Sequence, residues 1–186
     1  MQTFALDEAK FKELVLYIVT RGADDPAMGA TKLNKVLYYS DFLAYAEFGR
    51  PITGATYQRL QNGPAPRQLL PIRDQLVETG DAVLVSVPAP KGPQDRLYAR
   101  RSPDLSLFTA TEISLVDAVM ERLRYYDASH VSALSHREIG WRLTAPGETI
   151  PYSTVFISSD ELPDEAFTWA QAVAREEGLL DERLQA

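Results

Sequence analysis

The sequence predicts a mainly α, α+β fold: a single compact helical domain of about six helices with one small β-hairpin. Three observations carry that expectation. Apolar residues recur at helical spacing along most of the chain, and strict alternation is confined to one stretch around Val83–Ala99. A length of 186 residues suits one domain better than two. The chain has no cysteine, so burial alone must hold the core.

The first helix is expected from Asp7 to Arg21, with Asp7 as N-cap and Phe11, Leu14, Val15 and Ile18 on one face. Gly22 to Ala30 reads as a loop. A second helix follows from Thr31, its N-cap, to about Phe48, with Gly49 past its end. Leu33, Val36, Leu37, Leu43 and Ala44 form one apolar stripe, and Tyr38, Phe42 and Tyr45 form another. Only Asn34 and Asp41 make a polar strip. A helix so apolar is central to the core or gives one face to a partner. Ile52 to Leu60 reads as a short extended segment, and Asn62-Gly63-Pro64 as a firm turn.

A third helix runs to Thr79, stopped by Gly80, with Pro71 in its first turn. Val83, Val85 and Val87, then Leu97 and Ala99, alternate as the strands of a hairpin whose loop is Pro88–Asp95. Thr109 and Glu112 make a capping box that opens a fourth helix to about Tyr126, with Ile113, Val116, Met120 and Leu123 on its core face. A shorter helix begins near Ser129 and carries His136 towards Trp141. Thr144 to Ser158 is partly extended. Ser159 or Asp160 caps a last helix through about Glu177. Residues 1–158 thus form the domain, and 159–186 an acidic C-terminal helix packed on it.

Charge narrows the function classes. The net charge is −7, and the last 31 residues hold 8 acidic and 2 basic side chains. Nucleic acid is an unexpected partner for such a chain, because phosphate contacts need local positive charge. One locally basic feature is the hairpin, with Lys91, Arg96, Arg100 and Arg101. Three helices followed by that hairpin resemble a winged-helix module, so a winged-helix-like DNA-binding transcriptional regulator is the alternative reading. Asp74, Asp81 and Asp95 lie alongside and favour a solvated hairpin instead. No apolar run approaches the ~20 residues that cross a bilayer. The first residues lack the basic-then-apolar order of a signal peptide. A cytoplasmic location without membrane contact is expected.

Chemistry-bearing patterns are sparse. His130 and His136 are six residues apart, not the three or four that bring two ligands together on a helix. The glycines lack phosphate-loop spacing, and no serine sits in a nucleophile elbow. The pairs Asp160/Glu161 and Asp164/Glu165 suit a helix start. No enzyme activity, metal or cofactor is expected. The Tyr38/Phe42/Tyr45 stripe is the candidate binding surface, its hydroxyls and rings being the amphipathic groups that anchor interfaces.

Several blocks carry a family resemblance. Thr31-Lys32-Leu33-Asn34-Lys35-Val36-Leu37-Tyr38-Tyr39-Ser40-Asp41-Phe42 resembles the opening helix of the Panacea domain of SocA-like and GepA-like antitoxins. Ile52-Thr53-Gly54-Ala55-Thr56-Tyr57 followed by Asn62-Gly63-Pro64 is similar to its strand-like stretch. Ser132 to Trp141 resembles its later His/Trp block, and Ile150-Pro151-Tyr152 a late element. The resemblance implies an antitoxin that binds and neutralises a cognate protein toxin of bacterial or phage origin. It also implies, as in SocA-like members, a proteolytic adaptor that hands the toxin to a cellular protease. Its motif positions Lys32, Leu33, Asp41, Gly63, Pro64, His136 and Trp141 are expected to be structural. Tyr38, Phe42, Tyr45 and the neighbouring Tyr57 are the expected toxin-binding residues.

Overall fold

The structure, a computed structural model, describes residues 4–89, 92–157 and 172–173. The expected C-terminal helix over 159–186, its acidic pairs and Lys91 lie outside the described residues. In chain order the elements are α1 (Glu8–Arg21), α2 (Ala30–Phe48), β1 (Tyr57–Leu60), β2 (Gly63–Pro66), α3 (Leu69–Glu78), β3 (Ala82–Val87), β4 (Gln94–Ala99), α4 (Ala110–Leu123), α5 (Ala128–Ser135) and α6 (Ile139–Leu143). Short 3₁₀ turns occupy Leu105–Leu107 and Tyr152–Phe156. The described chain is mainly α, with two antiparallel two-stranded sheets, β1–β2 and β3–β4.

Helix α2 is the hub: α1, α4, α5, β2 and the Tyr152–Phe156 turn all pack on it. α1 lies against β4, and α3 against β3. The core runs along α1 and α2 and is closed by Val116, Val119 and Leu123 of α4. α1 is buried beyond its predicted face, since Leu16, Tyr17 and Val19 are buried as well. Its N-cap is Asp7, whose carboxylate accepts from Lys10 N–H at 2.9 Å. α4 opens with the expected capping box between Thr109 and Glu112.

Three boundaries differ from expectation. α2 starts at Ala30 with Gly29 as its N-cap, so Thr31 is helical and does not cap. α4 ends at Leu123, and Asp127 caps α5, its carboxylate accepting from His130 N–H. The single helix expected from Ser129 to Trp141 is two. The buried Ser135 hydroxyl donates back to the Ser132 carbonyl at 2.8 Å, competing with further helix, and Glu138 is extended.

The β1–β2 hairpin is an addition to the one expected. Its second strand is Gly-Pro-Ala-Pro, a composition that reads as a turn because proline cannot donate to a ladder. The register resolves the conflict: Pro64 faces Arg59 and Pro66 faces Tyr57, alternate positions on the strand. Arg59 turns its own N–H and C=O the other way, to Glu148 O and Gly147 N at 3.0 and 2.8 Å. Ile150 N–H donates to Tyr57 O at 2.8 Å, so residues 147–150 lie along the free edge of β1. Gly63, at φ 100°, is required here. A side chain would meet the Ser135 hydroxyl and the end of Lys35.

Candidate functional site

The predicted toxin-binding residues converge on one place, and most of it is inside the protein. Tyr38, Phe42 and Tyr57 are buried, each no more than 3% exposed. Their rings pack with one another, Tyr38 to Phe42 at 4.2 Å and Phe42 to Tyr57 at 5.5 Å between centroids. Tyr152 completes the cluster, 4.7 Å from Phe42. Tyr45 alone keeps partial exposure, bordered by Phe4, Tyr152 and the largely exposed Phe156. As anchors open to a partner, Tyr38, Phe42 and Tyr57 are therefore corrected to core positions. The reason is two-sided burial of α2: the Leu33/Val36/Leu37 face meets the helices, and the aromatic face meets β1 and Tyr152.

At the centre of this cluster Asp41 is fully buried. Its carboxylate accepts from Thr53 N–H at 2.8 Å, the Thr53 hydroxyl at 2.5 Å and the Tyr57 hydroxyl at 2.8 Å. The Tyr152 hydroxyl lies 3.5 Å away and donates instead to the Ala55 carbonyl at 2.6 Å. Burial pushes the Asp41 carboxyl above the usual carboxylate range, against the bonds from Thr53 and Tyr57 that favour its charge. Burial and the neighbouring Asp41 charge also push the Tyr57 hydroxyl well up. Asp41 thus ties α2 to the segment after it. Tyr152 and Thr53 are members of the cluster that sequence reasoning did not assign, although Tyr152 sits in the Ile-Pro-Tyr block.

The other motif positions lie at seams between elements. Lys32, 1% exposed, donates to the Asp25 carboxylate at 2.5 Å and to the carbonyls of Arg124 and Tyr126 at 3.0 and 2.9 Å. It joins the α1–α2 loop to the end of α4. Lys35, equally buried, donates to the Pro64 carbonyl at 3.1 Å, and burial lowers its ammonium to a pKa of about 8. Leu33 is core. His136 stacks on Trp141 with centroids 4.1 Å apart, and the Arg59 guanidinium covers the Trp141 ring at 4.2 Å. Trp141 Nε1–H donates to the Leu60 carbonyl at 3.0 Å, fastening α6 to β1. Neither Lys35 nor Arg59 was singled out from sequence. The signal for Lys35 was present, a lysine inside an otherwise apolar helical stripe.

The basic hairpin is largely committed to the fold. Arg96 is buried, and its Nη2 donates to the Asp25 and Ala23 carbonyls at 2.8 and 3.3 Å. Arg101 is paired with Glu13 at 2.6 Å and Asp81 at 3.0 Å. Two of the four cations that suggested a phosphate-binding wing therefore face protein oxygens. Among the described residues no group of three or more His, Cys, Asp or Glu is placed to hold a metal ion. Nor is any described helix long and apolar enough to cross a membrane.

Fold and geometry together define a mainly helical α+β domain whose signature residues bind its elements to one another. The chain belongs to the antitoxin SocA-like, Panacea domain family, whose sequence model matches residues 33–142. The match spans Leu33, Asp41, Gly63, Pro64, His136 and Trp141, and leaves Lys32 and the Ile150–Tyr152 block just outside its limits. No curated protein and no solved structure shows a significant match to the chain.

Proposed function

We propose that this protein is an antitoxin that neutralises a cognate protein toxin by direct stoichiometric binding in the cytoplasm of a bacterium or its phage. Membership of the antitoxin SocA-like, Panacea domain family is the observation that supports it. The geometry is consistent with that reading, because the motif side chains are spent on internal contacts and recognition falls to exposed side chains. Of the predicted anchors, Tyr45 has surface to offer, with Phe156 beside it at 5.5 Å. Delivery of the captured toxin to a cellular protease is the finer form of the same reading.

The test is co-expression with the protein encoded by the adjacent gene. The expected result is rescue of growth and co-purification as a complex. Tyr45→Ala weakens rescue while the melting temperature holds. If the neighbour is harmless when expressed alone, or the two proteins do not associate, the reading fails. A toxin half-life that shortens only when this protein is present supports the adaptor form.

A further inference from the structure

Tyr125, on the turn between α4 and α5, is 86% exposed, and its neighbour Tyr126 is 43% exposed. The main chain beneath them is firmly held. Lys32 grips the carbonyls of Arg124 and Tyr126 from inside, and Tyr126 N–H donates to the Leu123 carbonyl at 3.1 Å. Two tyrosines are thus presented to solvent from a fixed backbone, which reduces the ordering cost of using them in an interface. Between this turn and the α1–α2 loop lies an open cavity of about 590 Å³, with both tyrosines on its rim.

The charges around the cavity say what fits. Arg21 stands 3.7 Å from Asp117, and Arg124 3.4 Å from Glu121, so those pairs balance. Buried Lys32 balances Asp25. Asp24 has no partner among the described residues, and Asp127, which caps α5 through the His130 and Ser129 backbone, has the His130 ring as its charged neighbour. Even with the buried Arg96 guanidinium behind the same loop, on the Ala23 and Asp25 carbonyls, negative charge is left in excess beside two exposed aromatic rings. Carboxylates beside tyrosine faces favour guanidinium and ammonium groups, through charge-assisted hydrogen bonds and cation–π contact. A second copy of this chain is a poor occupant, because each copy carries −7.

We infer that this corner is a docking surface for a cationic protein face, with Tyr125 and Tyr126 as its anchors and Asp24 and Asp127 matching arginine or lysine on the partner. The inference rests on the antitoxin reading for the partner's identity, not for its chemistry. It places a contact near the N-terminal end of α2, whereas Tyr45 lies 13 residues further along, roughly 20 Å at 1.5 Å per residue.

Two probes test it with the full chain, the adjacent-gene product and a nonaarginine peptide. Tyr125→Ala/Tyr126→Ala is expected to weaken binding of the adjacent-gene product roughly 30-fold with an unchanged melting temperature. Asp24→Asn should slow association and reduce its sensitivity to salt. Full affinity in the double variant overturns the inference and leaves the antitoxin reading intact. If the wild-type protein binds no adjacent-gene product, that reading fails, and the peptide decides the surface. Nonaarginine should shift amide resonances over residues 24–27 and 121–130 of the wild type, and not of the double variant. Shifts confined to another face, or equal in both proteins, overturn it, as does dimerisation through this corner.

Discussion

Asp41 and Lys35 lie on the same helix, both buried and neither facing an opposite charge among the described residues. Their pH signatures differ in window. The Asp41 carboxyl is raised in the folded state, so its contribution to stability falls as pH rises from 3.8 through its folded value. The Lys35 ammonium is lowered from 10.5 to about 8. Its charge therefore burdens the fold below about pH 8, and the burden lifts between about 8 and 10.5. Replacing it by Lys35→Met is expected to raise stability at pH 7 by as much as about 3 kcal/mol, less about 1 kcal/mol for the bond lost by the Pro64 carbonyl. Urea unfolding of the two proteins at pH 7 and 9.5 checks this, because the gain must shrink at the higher pH. Phe42 makes the complementary case. Packed between Tyr38, Tyr57 and Tyr152, its truncation to Ala should cost about 3–5 kcal/mol. The loss should appear in the melting temperature first, with weakened partner binding as a consequence of unfolding.

At the scale of elements, helix ends marked by a local capping signal were legible, and those without one were not. Asp7, Gly49 and the Thr109/Glu112 box are local signals, and each stands where its side chain or backbone predicts. Thr109→Ala should cost about 1 kcal/mol by thermal or denaturant unfolding, the usual value of an N-cap. Lys32→Ala should cost more, about 3–5 kcal/mol, since it strands the Asp25 carboxylate and uncaps the end of α4 together. Illegible elements were those decided by distant partners. The Gly-Pro-Ala-Pro strand exists because Arg59, opposite Pro64, bonds outward to residues 147 and 148, and the Tyr57 carbonyl, opposite Pro66, accepts from Ile150, so neither proline faces a demand for N–H. The aromatic face of α2 looked available because the residue that covers it, Tyr152, lies 110 positions after Phe42.

For the whole molecule, the mainly helical α+β class was readable from periodicity, and the family from its ordered blocks. The burial of Tyr38, Phe42 and Tyr57 was not, because aromatic spacing alone cannot distinguish a buried ring from an offered one. Charge was a firmer guide. With −7 overall and both Arg96 and Arg101 engaged internally, duplex DNA should bind no more tightly than roughly 10⁻⁴ M at physiological salt. A filter-binding or anisotropy titration checks this, and tight sequence-selective binding abolished by Arg100→Ala would reinstate the regulator.

The edge pairing of residues 147–150 with β1, and the Tyr152 ring over Asp41, also bear on how the protein is made. A ribosome adding about 5–20 residues per second needs roughly 6–22 s to travel from Asp41 to Tyr152. Throughout that interval the emerging chain holds α1 and α2, the helices that carry much of the buried core, with neither the outer partner of β1 nor the ring that closes the aspartate cluster. Until Tyr152 has emerged, the nascent chain is expected to stay open to chaperones and proteases. Messages truncated before codon 150 should yield rapidly degraded fragments, and the cell's supply of this protein is set by completed translation events rather than by initiated ones.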